Sequence, residues 1–199
     1  MARKVKCHWC GITDTPKDEM EFEMVGQKKP VRKNYHKHCY PLFLEDKKFK
    51  EEEQAEKDEL TEAIKRIWGI KDIPRQAFPL LEALRNGEPV FGKRQKMGKR
   101  YKEGYKYSLI RETLDYIEDT IHYWNSVKDF NGSFMQSFKY SLSIVIDKIY
   151  YVEQRAIERE RKKEMIEKHV EQVEFEEQTF ESNYKKPSKT NDITDFLDD

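Results

Sequence analysis

The sequence has few cysteines, few glycines and no long hydrophobic run, and each shortage excludes a class of protein. Only three of its 199 residues are cysteine, an odd number that argues against a closed disulfide framework. No apolar stretch approaches the roughly 20 residues that span a bilayer, so we expect a soluble protein with no membrane partner. No glycine-rich phosphate loop is present. No apolar run follows the basic residues before the first cysteine, which predicts no secretory signal and a reducing, cytoplasmic setting.

Charged residues are abundant and unevenly distributed along the chain. They make up 38% of the sequence against 37% hydrophobic residues, so the core must be modest and much of the chain solvated. The net charge is zero, but residues 1–106 carry 25 basic and 18 acidic groups, and residues 107–199 carry 13 and 20. This division predicts an anionic partner for the first part and an exposed acidic second part.

The three cysteines form one motif with a histidine. Cys7-x-x-Cys10 is followed after 25 residues by His36-x-x-Cys39. Thiolates and imidazoles at this spacing are typical of a tetrahedral zinc site, in which each two-residue gap lets a short turn place two ligands on one metal. Because four protein ligands leave no position for water or substrate, we expect one structural Zn²⁺.

Two other interpretations of the motif are weaker. His8 and His38 lie beside the proposed ligands and could replace His36, which we prefer because it repeats the two-residue interval of the first pair. A redox Cys-x-x-Cys pair would require a thioredoxin-like β-α-β setting, and it would leave His36 and Cys39 unexplained.

The segments around the motif predict a small zinc module. Residues 20–25 alternate apolar and acidic side chains, residues 26–30 break the pattern, and residues 31–35 return as a second strand, which together predict a β-hairpin. After Cys39 a helical pattern should continue to Trp68 and end at Gly69. A turn with two ligands, a hairpin, and a helix with two ligands in its first turn resemble the treble-clef class of zinc fingers and the first half of a LIM module. The resemblance covers residues 1 to about 65, and no cysteine remains for the second LIM ligand set.

Helical periodicity dominates the rest of the chain. We expect one short helix closed by Asn86-Gly87, one that begins with Ser108 as its N-cap, and a longer one from near Ser133 that follows an Asn131-Gly132 turn. The last two should pack as an antiparallel helical hairpin. The apolar stripes are Leu60, Ala63, Ile64, Ile67 and Trp68; Phe78, Leu81 and Leu84; Ile110, Leu114, Ile117, Ile121 and Trp124; and Phe134, Phe138, Leu142, Val145, Ile149 and Val152.

The fold class predicted is therefore α+β, mainly α, in four parts. A zinc module at 1–70, whose trailing helix has an acidic first half standing in water, is followed by an α-helical domain at 71–152. A highly charged helix at 153–182 has only a sparse apolar stripe, so it is either a protruding solvated helix or one strand of a coiled coil, and its irregular spacing favours the former. Residues 183–199 should form a disordered acidic tail.

Residues 93–107 form a basic loop with interleaved tyrosines, kept mobile by Gly98 and Gly104. Lysine and arginine bind phosphates and tyrosine stacks on unpaired bases, which predicts single-stranded or non-specific nucleic-acid binding. The alternative is an ordinary solvated loop whose tyrosines close the core. The candidate nucleic-acid-binding residues are Lys93, Arg94, Lys96, Lys99, Arg100, Tyr101, Lys102 and Tyr105.

The last residues place Ile193, Phe196 and Leu197 among acids. This segment resembles the terminal peptides by which replication and late-transcription proteins of bacteria and phages dock on partners such as sliding clamps. The resemblance implies a protein partner for the tail, and the alternative is a merely solubilising tail.

Catalytic signals are weak. His122 and His169 stand alone on predicted helices, and the hairpin lacks the catalytic histidine of treble-clef nucleases, so we expect no enzyme. A zinc finger fused to a lysine- and glutamate-rich helical part resembles accessory proteins of bacteriophages that infect low-GC Gram-positive bacteria. We therefore expect a non-enzymatic, zinc-binding, nucleic-acid-associated adaptor in phage or bacterial replication or transcription, acting in the host cytoplasm. The alternative is a protein–protein adaptor with a purely structural zinc.

Overall fold

A computed structural model describes residues 3–26 and 29–183, with side chains as far as residue 173. The chain divides into two units, Met1–Ile149 and Tyr150–Asp199. The predicted fold class is confirmed, because the protein is mainly helical with small antiparallel hairpins at its N-terminus. The predicted boundaries between the zinc module, the helical domain and the charged helix stay predictions, and the tail from residue 184 onward lies outside the described residues.

Two antiparallel strand pairs form the N-terminal part. Strand β1 (Lys4–Val5) pairs with β2 (Thr15–Pro16), and β3 (Glu21–Val25) pairs with β4 (Val31–Tyr35). The second pair is the predicted hairpin, with Glu21 opposite Tyr35 and Val25 opposite Val31. The first pair was not predicted, because strands of two residues are too short to show the strand period.

One long helix joins the N-terminal strands to the helical core. Helix α1 (Cys39–Trp68) ends as predicted, with the N–H of Gly69 bonded to the carbonyl of Arg66. Near its start the ring of Phe43 stacks on Tyr35 of β4 at 4.3 Å between centroids. Its last turns bury Leu60, Ile64 and Ile67 in the core. The same helix therefore belongs to both hydrophobic clusters of the unit Met1–Ile149.

Four further α-helices follow in the described chain: α2 (Phe78–Arg85), α3 (Tyr107–Tyr116), α4 (Glu118–Val127) and α5 (Phe134–Asn183). Their apolar stripes meet in one core, whose fully buried side chains include Leu81, Leu84, Ile110, Leu114, Ile121, Phe138, Leu142, Val145 and Ile149. The N-terminal cluster is much smaller and consists of Cys7, Met20, Tyr35 and Cys39 with a few half-buried neighbours. No helix in the described part of the chain is both long and apolar enough to cross a membrane.

The expectation about the N-cap of helix α3 was wrong, and the one about helix α1 holds only in part. The acidic first half of α1 does not simply stand in water: Glu53 accepts a hydrogen bond from Nε of Arg85 at 2.8 Å, and Glu56 accepts from the N–H and the hydroxyl of Ser108. Ser108 is therefore not an N-cap. Helix α3 begins at Tyr107, and its N-cap residue is Lys106, two residues before the predicted one.

The predicted helix across residues 108–124 is two helices. The backbone departs from helical geometry at Ile117 (φ −102°, ψ 10°), although this side chain and Ile121 both stay buried. Hydrogen bonding between Asn125 and Ser137, together with the ring contact of Trp124 and Tyr140, places α4 antiparallel to the start of α5. Periodicity did not reveal the break, since the apolar stripe continues through it.

Candidate metal centre and basic loop

The four residues of the cysteine–histidine motif converge in the structure. One ligand atom from each of Cys7, Cys10, His36 and Cys39 lies within 4.8 Å of all the others. Cys7, His36 and Cys39 are buried, and Cys10 is exposed. Residues up to 32 positions apart in the sequence are thus brought into one cluster of three sulfurs and one imidazole.

The first two ligands lie on a tight turn between β1 and β2. The N–H of Gly11 donates to the carbonyl of Cys7 at 3.0 Å, and the N–H of Cys7 donates to the carbonyl of Ile12 at 2.9 Å. Gly11 has φ of +78°, a conformation that costs glycine little and other residues more. The turn therefore holds Cys7 and Cys10 close together, as the two-residue spacing predicts.

The second two ligands lie where the hairpin meets helix α1. His36 follows the last residue of β4, and Cys39 is the first residue of α1, with its N–H bonded to the carbonyl of His36 at 2.9 Å. We expected both ligands in the first helical turn, but only Cys39 is helical. His36 lies in the connecting turn before it.

The ring of His36 is oriented by partners on both of its nitrogens. Nδ1 lies 3.3 Å from Sγ of Cys10 and 3.8 Å from Sγ of Cys39, whereas Nε2 lies 2.8 Å from Oδ1 of Asp14. A carboxylate on the outer nitrogen of a metal-binding histidine fixes the ring and its tautomer. Asp14 could not be selected from the sequence, because it is one of 38 acidic residues and no motif distinguishes it.

The positions of the three neighbouring histidines show which of them lies in the ligand cluster. His8 and His38 are exposed and lie outside the ligand cluster, although the ring of His38 stacks on His36 at 5.2 Å. His36 was the preferred ligand, and it is the histidine whose nitrogen faces the sulfurs.

The pKa values of the thiols differ according to their surroundings. Burial raises the pKa of Cys7, but backbone N–H donors from Cys10, His36 and Trp9 outweigh it and bring the pKa to about 7. Burial, together with hydrogen bonds and charge from the other two thiols, raises the pKa of Cys39 to about 11. Thiolates packed this closely repel one another, so a cation among them would stabilise the deprotonated cluster. The four residues could hold one metal ion.

The basic loop is anchored to the core by its tyrosines. Tyr101, Tyr105 and Tyr107 are 6%, 4% and 5% exposed, and the hydroxyl of Tyr101 donates to the carbonyl of Glu88 at 2.9 Å. Burial raises the pKa of Tyr101 above its ordinary value. Two residues proposed for base stacking, Tyr101 and Tyr105, thus have no face available to a nucleic acid, and the alternative interpretation of the tyrosines describes them correctly.

A close backbone contact fixes the end of the loop. Gly104 has φ of +74°, and a Cβ atom built on it would lie 2.1 Å from the carbonyl oxygen of Arg85. A Cβ on Gly87 would lie 2.4 Å from the carbonyl oxygen of Lys102. We expected Gly104 to keep the loop mobile, but it lets the loop pack directly on the end of helix α2. Gly98 has no such contact.

The remaining candidate residues divide into one structural arginine and five exposed cations. The guanidinium of Arg100 donates to the carbonyl of Gly104 at 2.9 Å and lies 4.6 Å over the ring of Tyr105. The five others are exposed, and they make no ion pair within the part of the chain that the structure describes: Lys93, Arg94, Lys96, Lys99 and Lys102. The proposed partner-binding residues Ile193, Phe196 and Leu197 lie outside the described residues.

The fold and the site define a mainly helical protein with an N-terminal Cys₃His cluster suited to one metal ion. A family model described as SPbeta prophage protein YorH matches residues 7–195, and the chain belongs to this family. The expected association with bacteriophages is confirmed at this level. No curated protein and no solved structure matches the chain.

Proposed function

We propose that the protein is a non-enzymatic adaptor that holds one structural Zn²⁺ and binds nucleic acid through its basic loop. The family's description as a prophage protein supports a role in a phage, and within it we propose replication or transcription in the host cytoplasm. The observation that carries the proposal is a loop whose backbone is fixed by buried tyrosines and whose five exposed cations have no ion pair among the described residues.

The donor set favours zinc over other metals. Three sulfurs and one imidazole suit a tetrahedral Zn²⁺ site, whereas magnesium and calcium prefer oxygen ligands. The order of turn, hairpin and helix supports a treble-clef arrangement. The N-terminal hydrophobic cluster contains only four buried residues, so metal binding would supply much of the stability of this part of the fold.

The geometry of the loop favours recognition of phosphates. Its five exposed cations make no ion pair with any residue that the structure describes, and such side chains bind nucleic acid by charge and release of counterions. With Tyr101 and Tyr105 buried, the loop offers no aromatic face for bases. We therefore propose binding that depends little on sequence and strongly on salt.

A titration with labelled single- and double-stranded DNA and RNA at several salt concentrations tests this proposal. Binding should weaken steeply with salt, and Lys96→Gln with Lys99→Gln should lower both the affinity and the salt slope. The matched control is Lys48→Gln with Lys50→Gln, which removes two exposed lysines that are already paired with carboxylates on helix α1. The proposal would be contradicted if the protein bound no nucleic acid at low salt, or if the loop variant and the control variant lost the same amount of affinity.

An exposed apolar face on the hairpin favours the alternative, a protein–protein adaptor. Phe22 and Met24 are 49% and 52% exposed on β3, opposite Asn34 and Arg32 on β4. The guanidinium of Arg32 lies 4.0 Å over the Phe22 ring and donates to Asn34. Apolar side chains with an arginine are common at the centres of protein interfaces.

Substitution of this face separates the two functions. Under the alternative, Phe22→Ser with Met24→Ser should abolish capture of a phage or host protein and leave nucleic-acid binding unchanged. Under the leading proposal, the loop substitutions reduce nucleic-acid binding and the hairpin substitutions do not.

A further inference from the structure

The heptad spacing of helix α5 continues beyond its buried stripe. Steps of three and four residues connect the buried positions Phe138, Leu142, Val145, Ile149 and Val152. The same alternation continues without interruption through Ala156, Arg159, Lys163, Ile166, Val170 and Val173. A strict seven-residue repeat of this kind lines up one side of a helix for a coiled-coil partner.

The later apolar positions of this repeat are exposed. Ile166, Val170 and Val173 are 63%, 48% and 40% exposed. The apolar face of a helix is normally buried against another element. Ile157 and Met165, which gave the sequence its irregular apolar pattern, lie off the repeat. When these two residues are not counted, the remaining positions form a regular seam. This regular spacing argues against the solvated single helix that the sequence analysis favoured.

We propose that this seam pairs with the same seam of a second copy of the chain, in a parallel, in-register, two-stranded coiled coil. The charges that flank the seam argue for this occupant. If Ile149, Ala156, Lys163 and Val170 take position a, the e positions from residue 150 to residue 173 are all glutamate: Glu153, Glu160 and Glu167. The g positions are Arg155, Lys162 and His169.

The flanking charges also select the orientation. In a parallel pair each g residue faces the e residue five positions later in the second copy, so Lys162 meets Glu167 and Arg155 meets Glu160. An antiparallel pair would bring e against e, and glutamate would face glutamate. Opposite charges across the parallel seam, and like charges across the antiparallel one, favour the parallel dimer.

Two basic residues within the seam make the pairing moderate in strength. Arg159 and Lys163 occupy core positions, where each would face the same residue of the second chain. Their long aliphatic stems can lie along the seam while the charges reach solvent, and Lys163 already pairs with Glu160 at 3.6 Å. Replacing Lys163 by leucine should therefore strengthen the dimer.

Light scattering on the intact, zinc-loaded protein across a concentration series tests the proposal. The wild type should approach twice the monomer mass of 24.1 kDa, and Val170→Asp should return it to the monomer mass. Met165→Asp is the matched control, because Met165 is 71% exposed on the same helix but lies off the seam. Circular dichroism should show that both variants keep their helical content.

Charge reversal tests the register. Lys162→Glu alone and Glu167→Lys alone should each weaken the dimer at least several-fold, and the double variant should restore it. Residues five apart on one helix are not neighbours, so rescue can come only from contact between copies. A monomeric wild type at all concentrations would overturn the proposal. Equal effects of Val170→Asp and Met165→Asp, or failure of the charge rescue, would overturn it as well.

Discussion

Nε2 of His36 lies 2.8 Å from the carboxylate of Asp14, while Nδ1 of the same ring faces the sulfurs of Cys10 and Cys39. This pairing leaves Nδ1 as the nitrogen that can accept a metal, because the proton is held on the side of the carboxylate. Asp14 is itself exposed, and the Thr15 hydroxyl, followed by His36, lowers its pKa. A residue outside the four-ligand motif thus orients one of the ligands.

Replacing Asp14 by alanine should weaken zinc binding about 10- to 100-fold, since the histidine loses the group that fixes its tautomer. Competition with a chromophoric chelator measures the change. Asp18→Ala removes another exposed acid of the same module and should leave the affinity within twofold of wild type. Equal affinities for the two variants would show that Asp14 has no role in orienting the ligand.

Removal of the metal should unfold the N-terminal strands and spare the helical core. The cluster around Cys7 and Cys39 has only four buried residues, whereas the helical core is continuous from Leu60 to Ile149. Treatment with a chelator should release one zinc per chain and expose three reactive thiols. Hydrogen exchange should then accelerate in β3 and β4, with little change in α3. Uniform acceleration throughout both regions would contradict the expectation.

Substituting alanine at Gly104 should destabilise the protein by about 3 kcal/mol or more, or prevent folding. The new Cβ would lie 2.1 Å from the carbonyl oxygen of Arg85, and φ of +74° is unfavourable for any side chain. Gly98→Ala is the control, because nothing lies within 4 Å of its Cβ position. Urea unfolding monitored by circular dichroism measures both, and similar midpoints would contradict the structural role of Gly104.

The stability of the contact between helix α1 and helix α4 should depend on pH. Hydrogen bonds from Arg66 lower the pKa of Glu118 below its ordinary value of 4.5, against the opposing effect of burial. A carboxyl with a depressed folded pKa contributes stability above its unfolded pKa, and this contribution is lost as the pH falls through the folded value. Between neutral pH and values below 4.5, the stability difference between wild type and Glu118→Gln should therefore shrink. A pH-independent difference in unfolding midpoint would contradict the assignment.

Much of the architecture followed from local patterns. Apolar residues at helical spacing identified α1, α2 and the start of α5, and alternation identified the β3–β4 hairpin. The division at Ile117 escaped detection, because a helix can break while its apolar stripe continues to face the same core. Glu53 and Glu56 were assigned to solvent because their partners, Arg85 and Ser108, lie far away in the sequence.

The basic loop illustrates the same limit at a candidate site. The sequence places cations and tyrosines together in this loop, and we predicted nucleic-acid binding from them. Tyrosine, however, is compatible both with stacking on bases and with burial in a core. Only the packing of Tyr101 and Tyr105 against the helices showed that the aromatic rings stabilise the loop and that its exposed cations, not its tyrosines, face solvent.

The sequence by itself identified the four residues of the candidate metal site, because Cys7-x-x-Cys10 and His36-x-x-Cys39 place thiol and imidazole donors at intervals that a short turn can bring together. It also determined the helical class, since periodicity is a local property of the chain. Tertiary structure alone decided which nitrogen of His36 faces the sulfurs, that Asp14 supports it, and that Gly104 lies against Arg85. These are contacts between residues distant in sequence, and they depend on how the elements pack against one another.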